Sequence, residues 1–249
     1  MQIINVIYRI LYNSCLFGCC FAVLLVNGAE LLDGFLEVRI GSGLTGPTAL
    51  RAMRDGRVLV TQQCGELRII VNDELQDMSV LSRDVDCEGE RGLLGVTEDP
   101  DFATNKYIYI YYTVDESSGS YNRVSRFTMD GNIAIDASEE ILLDLHMLNC
   151  PYHNGGALEF GPDGFLYIMT GDNCKPSNSQ SFSSLFGKVL RMNKDGTIPQ
   201  SNPFYDTAEG YFRLIWAYGL RNPYTFTFGA TSSRLAINDV GYNGYEVYY

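Results

Sequence analysis

The chain has only two histidines, His146 and His153, in 249 residues, so imidazole chemistry has just two possible places. Positive charge is also scarce. Eighteen Lys and Arg face thirty Asp and Glu, giving a formal net charge of -12. A phosphate backbone would be repelled unless the few cations clustered tightly. No such cluster occurs, so no nucleic-acid partner is expected. No CxxC pair is present, which removes the usual zinc and dithiol signatures. No EF-hand loop is present either, so a calcium site would have to be irregular and rich in carbonyl oxygens. Past the N-terminal segment there is no long stretch of helical periodicity, which argues against a helical bundle.

The N-terminal segment has one cation, Arg9, then an apolar run from Leu16 to Val26, then the small residues Gly28 and Ala29. This pattern predicts a signal peptide over residues 1–29 and a secreted, extracellular protein. The competing account is a retained membrane anchor: Ile10 to Val26 falls a little short of the roughly 20 residues a spanning helix needs, but the stretch could extend toward Ile3. Three of the seven cysteines lie in this segment. Cys64, Cys87, Cys150 and Cys174 remain, an even set with three possible pairings in an oxidising compartment, against the alternative of four free thiols. A Cys150–Cys174 bridge would staple together the loops on either side of His153.

Short β-branched and aromatic runs punctuated by Gly, Asp, Asn and Pro predict strand pairs at 57–70, at 106–114 with 122–129, at 165–173 with 187–193, and at 234–241 with 245–249. Corresponding strands begin near Val58, Ile108, Leu166 and Leu235, at intervals of 50, 58 and 69 residues. Such a period suits propeller blades better than a β-sandwich, whose turns recur every 8 to 12 residues or so. The expected fold is therefore all-β, a partial propeller over 30–249 with about four blades. The last run, YEVYY, falls in the second strand of the fourth unit, so the ring is expected to be incomplete. Two copies completing one ring would make a homodimer.

Five motifs occur in order: GERGLLGVTEDPDFATNKYIYIYYT (89–113), HNGGALEFGPDGFLYIMTGDN (153–173), LFGKVLRMNKDGTIPQSNPF (185–204), IWAYGLRNPYTFTF (215–228) and NDVGYNGYE (238–246). Together they resemble the glucose/sorbosone dehydrogenase family. That resemblance implies a six-bladed propeller, pyrroloquinoline quinone and calcium as cofactors, and a small-molecule sugar, an aldose or related sugar alcohol, as the substrate oxidised at C1. Related propellers of the hedgehog-interacting type imply an alternative, a secreted non-catalytic binding module or an inactive paralogue.

Within these motifs His153 precedes two glycines, Gly155 and Gly156, which allow close approach of a flat ligand or backbone. Asp172 lies nineteen positions on, at the end of the next expected strand. An imidazole acting as general base needs a partner on its other nitrogen, and Asp172 can supply it; as a GDN turn residue it also has a purely local use. The resemblance makes His153 the base and Asp172 its support. It makes Arg221, in GLRNP, the charge beside the reacting quinone oxygen, with Asn222 as a neighbouring cofactor contact. A loop arginine pairing one of the many acids is the competing account. Glu90, before a GLL segment expected as a buried turn, corresponds to a substrate contact, or pairs with Arg91 or Arg68. Gly241 and Tyr242 correspond to carbonyl ligands of calcium, although a proline in the family's soluble glucose dehydrogenases is replaced here by Tyr242. His146, in a strand-like run, is expected to be structural.

Overall fold

The computed structural model describes residues 38–229, 232–242 and 246–248. The expected signal peptide or anchor at 1–29 lies outside them, and among the described residues no helix is long and apolar enough to cross a membrane.

Four antiparallel sheets follow one another along the chain, each built from consecutive segments. The first holds β1 (Pro47–Ala52), β2 (Val58–Gln62), β3 (Glu66–Val71) and β4 (Glu74–Leu75), with β5 (Leu81–Ser82) also paired to β3. The second holds β6 (Leu93–Glu98), β7 (Tyr107–Glu116), β8 (Gly119–Asp130) and β10 (Glu140–Met147), with the short β9 (Ile133–Ala134) beside β8. The third runs β11 (Gly155–Phe160), β12 (Leu166–Thr170), β13 (Lys188–Met192), β14 (Ile215–Tyr218). The fourth runs β15 (Pro223–Phe228), β16 (Leu235–Val240), β17 (Glu246–Tyr248). Among the described residues helix is confined to short turns, such as α1 (Phe102–Asn105) and α2 (Pro176–Gln180).

The middle strands explain why these sheets form. In β2, β12 and β13 every residue is buried, as expected for strands covered on both faces. Their Val, Leu, Ile and Met side chains fill the spaces between neighbouring sheets. Leu59, Leu67, Ile69, Ile108, Ile110 and Phe127 form the core between the first two sheets. Tyr109, Tyr111, Leu166, Ile168 and Leu190 form the next, and Tyr167, Met169, Val189 and Ile237 the third.

The first strands β1, β6, β11 and β15 stand side by side about a common axis, each beginning at the same end. This is a propeller arrangement, with first strands innermost. At the axis β6 and β11 meet backbone to backbone: a Cβ on Gly95 would sit 2.0 Å from the Gly156 carbonyl oxygen. Near the far ends of these strands Arg51 of β1 reaches Glu98 of β6 at 3.8 Å and Glu159 of β11 at 3.5 Å, tying three sheets together. Burial pushes the pKa of both carboxyls up.

The expected strand pairs are all present, within a few residues at their ends. The GLL segment expected as a turn is instead the start of β6, because Leu93 enters the core between the first two sheets.

Candidate active site

At the end of the axis where the inner strands begin, a cavity of about 410 Å3 opens among the four sheets, lined by residues including Gln63, Glu90, Leu94, Asn154, Asn222 and Val240. The loops entering β6, β11 and β15 carry Glu90, His153 and Arg221–Asn222. The loop leaving β12 carries Asp172, and the end of β16 carries Asp239 and Val240.

His153 Nδ1 lies 2.7 Å from Asp172 Oδ1. The Asp172 side chain is 2% exposed and the imidazole 16%. A carboxylate can only accept, so a proton on Nδ1 is directed at Asp172, the tautomer in which a neutral imidazole has Nε2 as its acceptor. The backbone is unusual at this point: His153, Asn173 and Cys174 all have left-handed conformations, with φ of 59°, 54° and 57°. Non-glycine residues rarely adopt this region without support from their surroundings. That support is visible. Asn173 N donates to His153 O at 3.3 Å, and Asn173 Oδ1 accepts from the backbone of Asn149 and Cys150. Cys150 and Cys174 are joined in a disulfide across the two loops, and Cys64 is joined to Cys87. Gly171 lets the chain pass His153; a Cβ there would lie 2.0 Å from the His153 carbonyl oxygen.

Glu90 pairs with neither Arg91 nor Arg68. Arg91 is held by Asp86 at 2.6 Å, and Arg68 lies 3.6 Å from Glu66. Glu90 Oε2 instead accepts from His153 N at 2.8 Å and from Asn222 Nδ2 at 3.1 Å. Asn222 Oδ1 accepts from Gly155 N at 3.0 Å. One carboxylate and one amide thus connect the loops entering three inner strands. Gln63 braces the Glu90 loop, donating to the carbonyls of Gly89 and Arg91 at 2.8 and 2.9 Å.

Arg221 forms no ion pair among the described residues; its Nη1 donates to Val240 O at 2.9 Å. The GLRNP turn is fixed by Asp239, which accepts from Arg221 N at 3.0 Å and Asn222 N at 2.6 Å. Burial pushes the Asp239 pKa up, and these two amide bonds work in the opposite direction. Sequence reasoning missed Asp239, and the only available signal was its place in NDVGYN. Asn154, which is 2% exposed and accepts from Tyr111 Oη on its carbonyl, was missed as well.

Gly241 and Tyr242 follow Val240 at the rim, and the Tyr242 side chain is exposed. Among the described residues no cluster of His, Cys, Asp and Glu could hold a metal by side chains alone. His146 is near the end of the outer strand β10 and is stacked on Phe212 with ring centroids 6.1 Å apart.

The family model for Glucose / Sorbosone dehydrogenase matches residues 44–246. Aldose sugar dehydrogenase YliI of Escherichia coli K12 is 32% identical over 208 residues, covering 80% of this chain and 54% of that protein. Quinoprotein glucose dehydrogenase B of Acinetobacter calcoaceticus is 27% identical over 224 residues, covering 79% and 46%. The chain thus spans about half the length of these relatives. The PQQ-bound form of aldose sugar dehydrogenase from Streptomyces coelicolor superposes with a TM-score of 0.74 at 27% identity, covering 85% of this chain and 61% of that one.

Proposed function

Since this chain belongs to the glucose/sorbosone dehydrogenase family, we propose that its axial cavity is the site of a quinoprotein dehydrogenase that oxidises an aldose or related sugar alcohol at C1. The observation that carries this reading is the 2.7 Å contact between His153 Nδ1 and Asp172, where His153 immediately precedes Asn154 and Gly155, which line the cavity.

A cavity of about 410 Å3 is within the range for ligands of cofactor size. Its polar groups suit a flat, oxygen-rich molecule: Asn222 lines the cavity and, with its neighbour Arg221, would hold pyrroloquinoline quinone. Gly155 instead fits against the β12 backbone, where a Cβ would lie 2.6 Å from Met169 O. Bound there, the quinone supplies a two-electron acceptor for the sugar. Calcium would be held by hard oxygen donors, for which the Gly241 and Tyr242 carbonyls are the candidates.

The chain's own residues divide the remaining work. His153 Nε2 takes the proton of the C1 hydroxyl, and Asp172 stabilises the imidazolium that results. Arg221 forms no ion pair among the described residues, so its guanidinium can serve an oxygen that becomes negative during reaction. Glu90 has Oε2 committed to His153 and Asn222, while Oε1 has no partner among the described residues and can accept a sugar hydroxyl. The full ring is read as six-bladed. Secretion directed by residues 1–29 accords with the two disulfides.

The test is reconstitution of the full-length protein with pyrroloquinoline quinone and calcium, followed by dye reduction with a panel of aldoses. Turnover of at least one sugar is expected. Stoichiometric quinone binding with no turnover of any sugar would leave the non-catalytic binding module as the better account.

A further inference from the structure

Lys188 is the only lysine buried among the described residues, and its exposure is 0%. It begins β13 and takes no part in the steps above. Burial pushes its pKa down to about 8, and no described carboxylate pairs with it. Its Nζ donates to three backbone carbonyls, those of Asn178 at 2.7 Å, Ser179 at 3.0 Å and Phe186 at 2.7 Å. An ammonium has three protons, and all are used. A methionine would fill similar space without the desolvation cost, so the reason for the charge lies in what those carbonyls belong to.

They belong to the segment between β12 and β13, which is bonded to both loops carrying the candidate site. Asn178 Nδ2 donates to Asp172 O at 3.0 Å. Ser179 Oγ donates to Leu220 O at 2.7 Å, and Gly219 N donates back to Ser179 O at 3.0 Å. Gly187 N donates to Gly171 O at 2.8 Å, and Gly187 O accepts from Leu220 N at 3.2 Å. The approach is close: a Cβ on Gly187 would lie 2.6 Å from Leu220 O. Asp172 N then donates to Arg221 O at 2.7 Å, which closes the circuit.

We propose that Lys188 is a positioning residue for the reaction: its ammonium gathers residues 178–187 into a brace that sets Asp172 and Arg221, and through Asp172 the His153 imidazole, in fixed relation. The inference rests on reading His153, Asp172 and Arg221 as the catalytic set. The brace itself is measurable without cofactor or sugar.

Amide hydrogen exchange on the full chain compares wild type with K188M. Exchange at Asp172, Gly187 and Gly219 should rise about ten- to hundredfold, with the β7–β8 hairpin unchanged. Loosening confined to 178–186 would overturn the proposal. Should K188M fail to fold, N178A and S179A keep the ammonium and cut one link each. N178A should raise exchange at Asp172 and S179A at Gly219 and Leu220, and wild-type protection at these amides in both variants would overturn it. In reconstituted enzyme K188M should lower kcat with the sugar KM held within about twofold. A wild-type protein that oxidises no aldose would refute the functional reading while leaving the exchange result intact.

Discussion

Removing each disulfide in turn separates stability from function. Cys64–Cys87 and Cys150–Cys174 span 23 and 24 residues, so the loops they close are nearly equal. The chain-entropy relation gives about 3.5 kcal/mol for either at 25 °C. Against a typical total of about 5–15 kcal/mol, either loss is large. The local consequences differ. The Cys64–Cys87 loop is held a second time by Gln63, whose amide donates to the carbonyls of Gly89 and Arg91. The Cys150–Cys174 bridge encloses both His153 and Asp172 and restrains Cys174 next to Asn173, both in left-handed conformations. Urea titrations of C64S/C87S and C150S/C174S should therefore show similar losses of about 3.5 kcal/mol. Amide exchange at Asn173 and turnover of reconstituted enzyme, measured where both variants remain folded, should change only in C150S/C174S. Equal losses of turnover in both variants would refute the argument that the second bridge holds the His153–Asp172 geometry.

Three further substitutions probe other parts of the arrangement. H153Q should lower kcat by about two to four orders of magnitude with cofactor affinity largely kept, if the imidazole is the general base; equal losses in both would point to a structural role. E90A removes the acceptor for His153 N and should cost about tenfold in kcat, whereas E90Q keeps one acceptor oxygen for His153 N and should hold kcat near wild type while raising the sugar KM, because an amide NH2 replaces the free Oε1, as steady-state kinetics would show. For Glu98, 1% exposed and with Oε2 unbonded, folding raises the pKa. The folded chain then holds this proton more tightly than the unfolded one. Stability falls as pH rises from the ordinary glutamate value to the raised one, and the cost persists above it. E98Q should accordingly be more stable than wild type at pH 7, with the advantage vanishing below the carboxylate range in thermal melts across pH.

Much of this was legible in the sequence, for identifiable reasons. The second and third strands of each sheet, such as β2 with β3 and β7 with β8, are dense in β-branched and aromatic residues because they fill the spaces between sheets. The inner strands were harder to see. β1, β6 and β11 carry glycine, threonine and exposed positions near the axis, and GLL looked like a turn because a glycine stands on each side of its two leucines. His153 and Asp172 were legible because histidine is rare and one hairpin brings the two together. The roles of Lys188, Asp239 and the Oε2 of Glu90 were not. Each acts across loops distant in sequence, as Glu90 does on Asn222 132 positions away, and no local motif encodes such a contact.

The contact between Gly95 and Gly156 bears on how this protein can change. No side chain stands between β6 and β11 there, so the spacing of two neighbouring blades at the axis is set by backbone against backbone. Substitutions in the outer strands can repack without altering the spacing of the inner strands at the axis. New substrate preferences would then arise in the loops entering the inner strands, mounted on a frame whose central dimension those changes leave untouched.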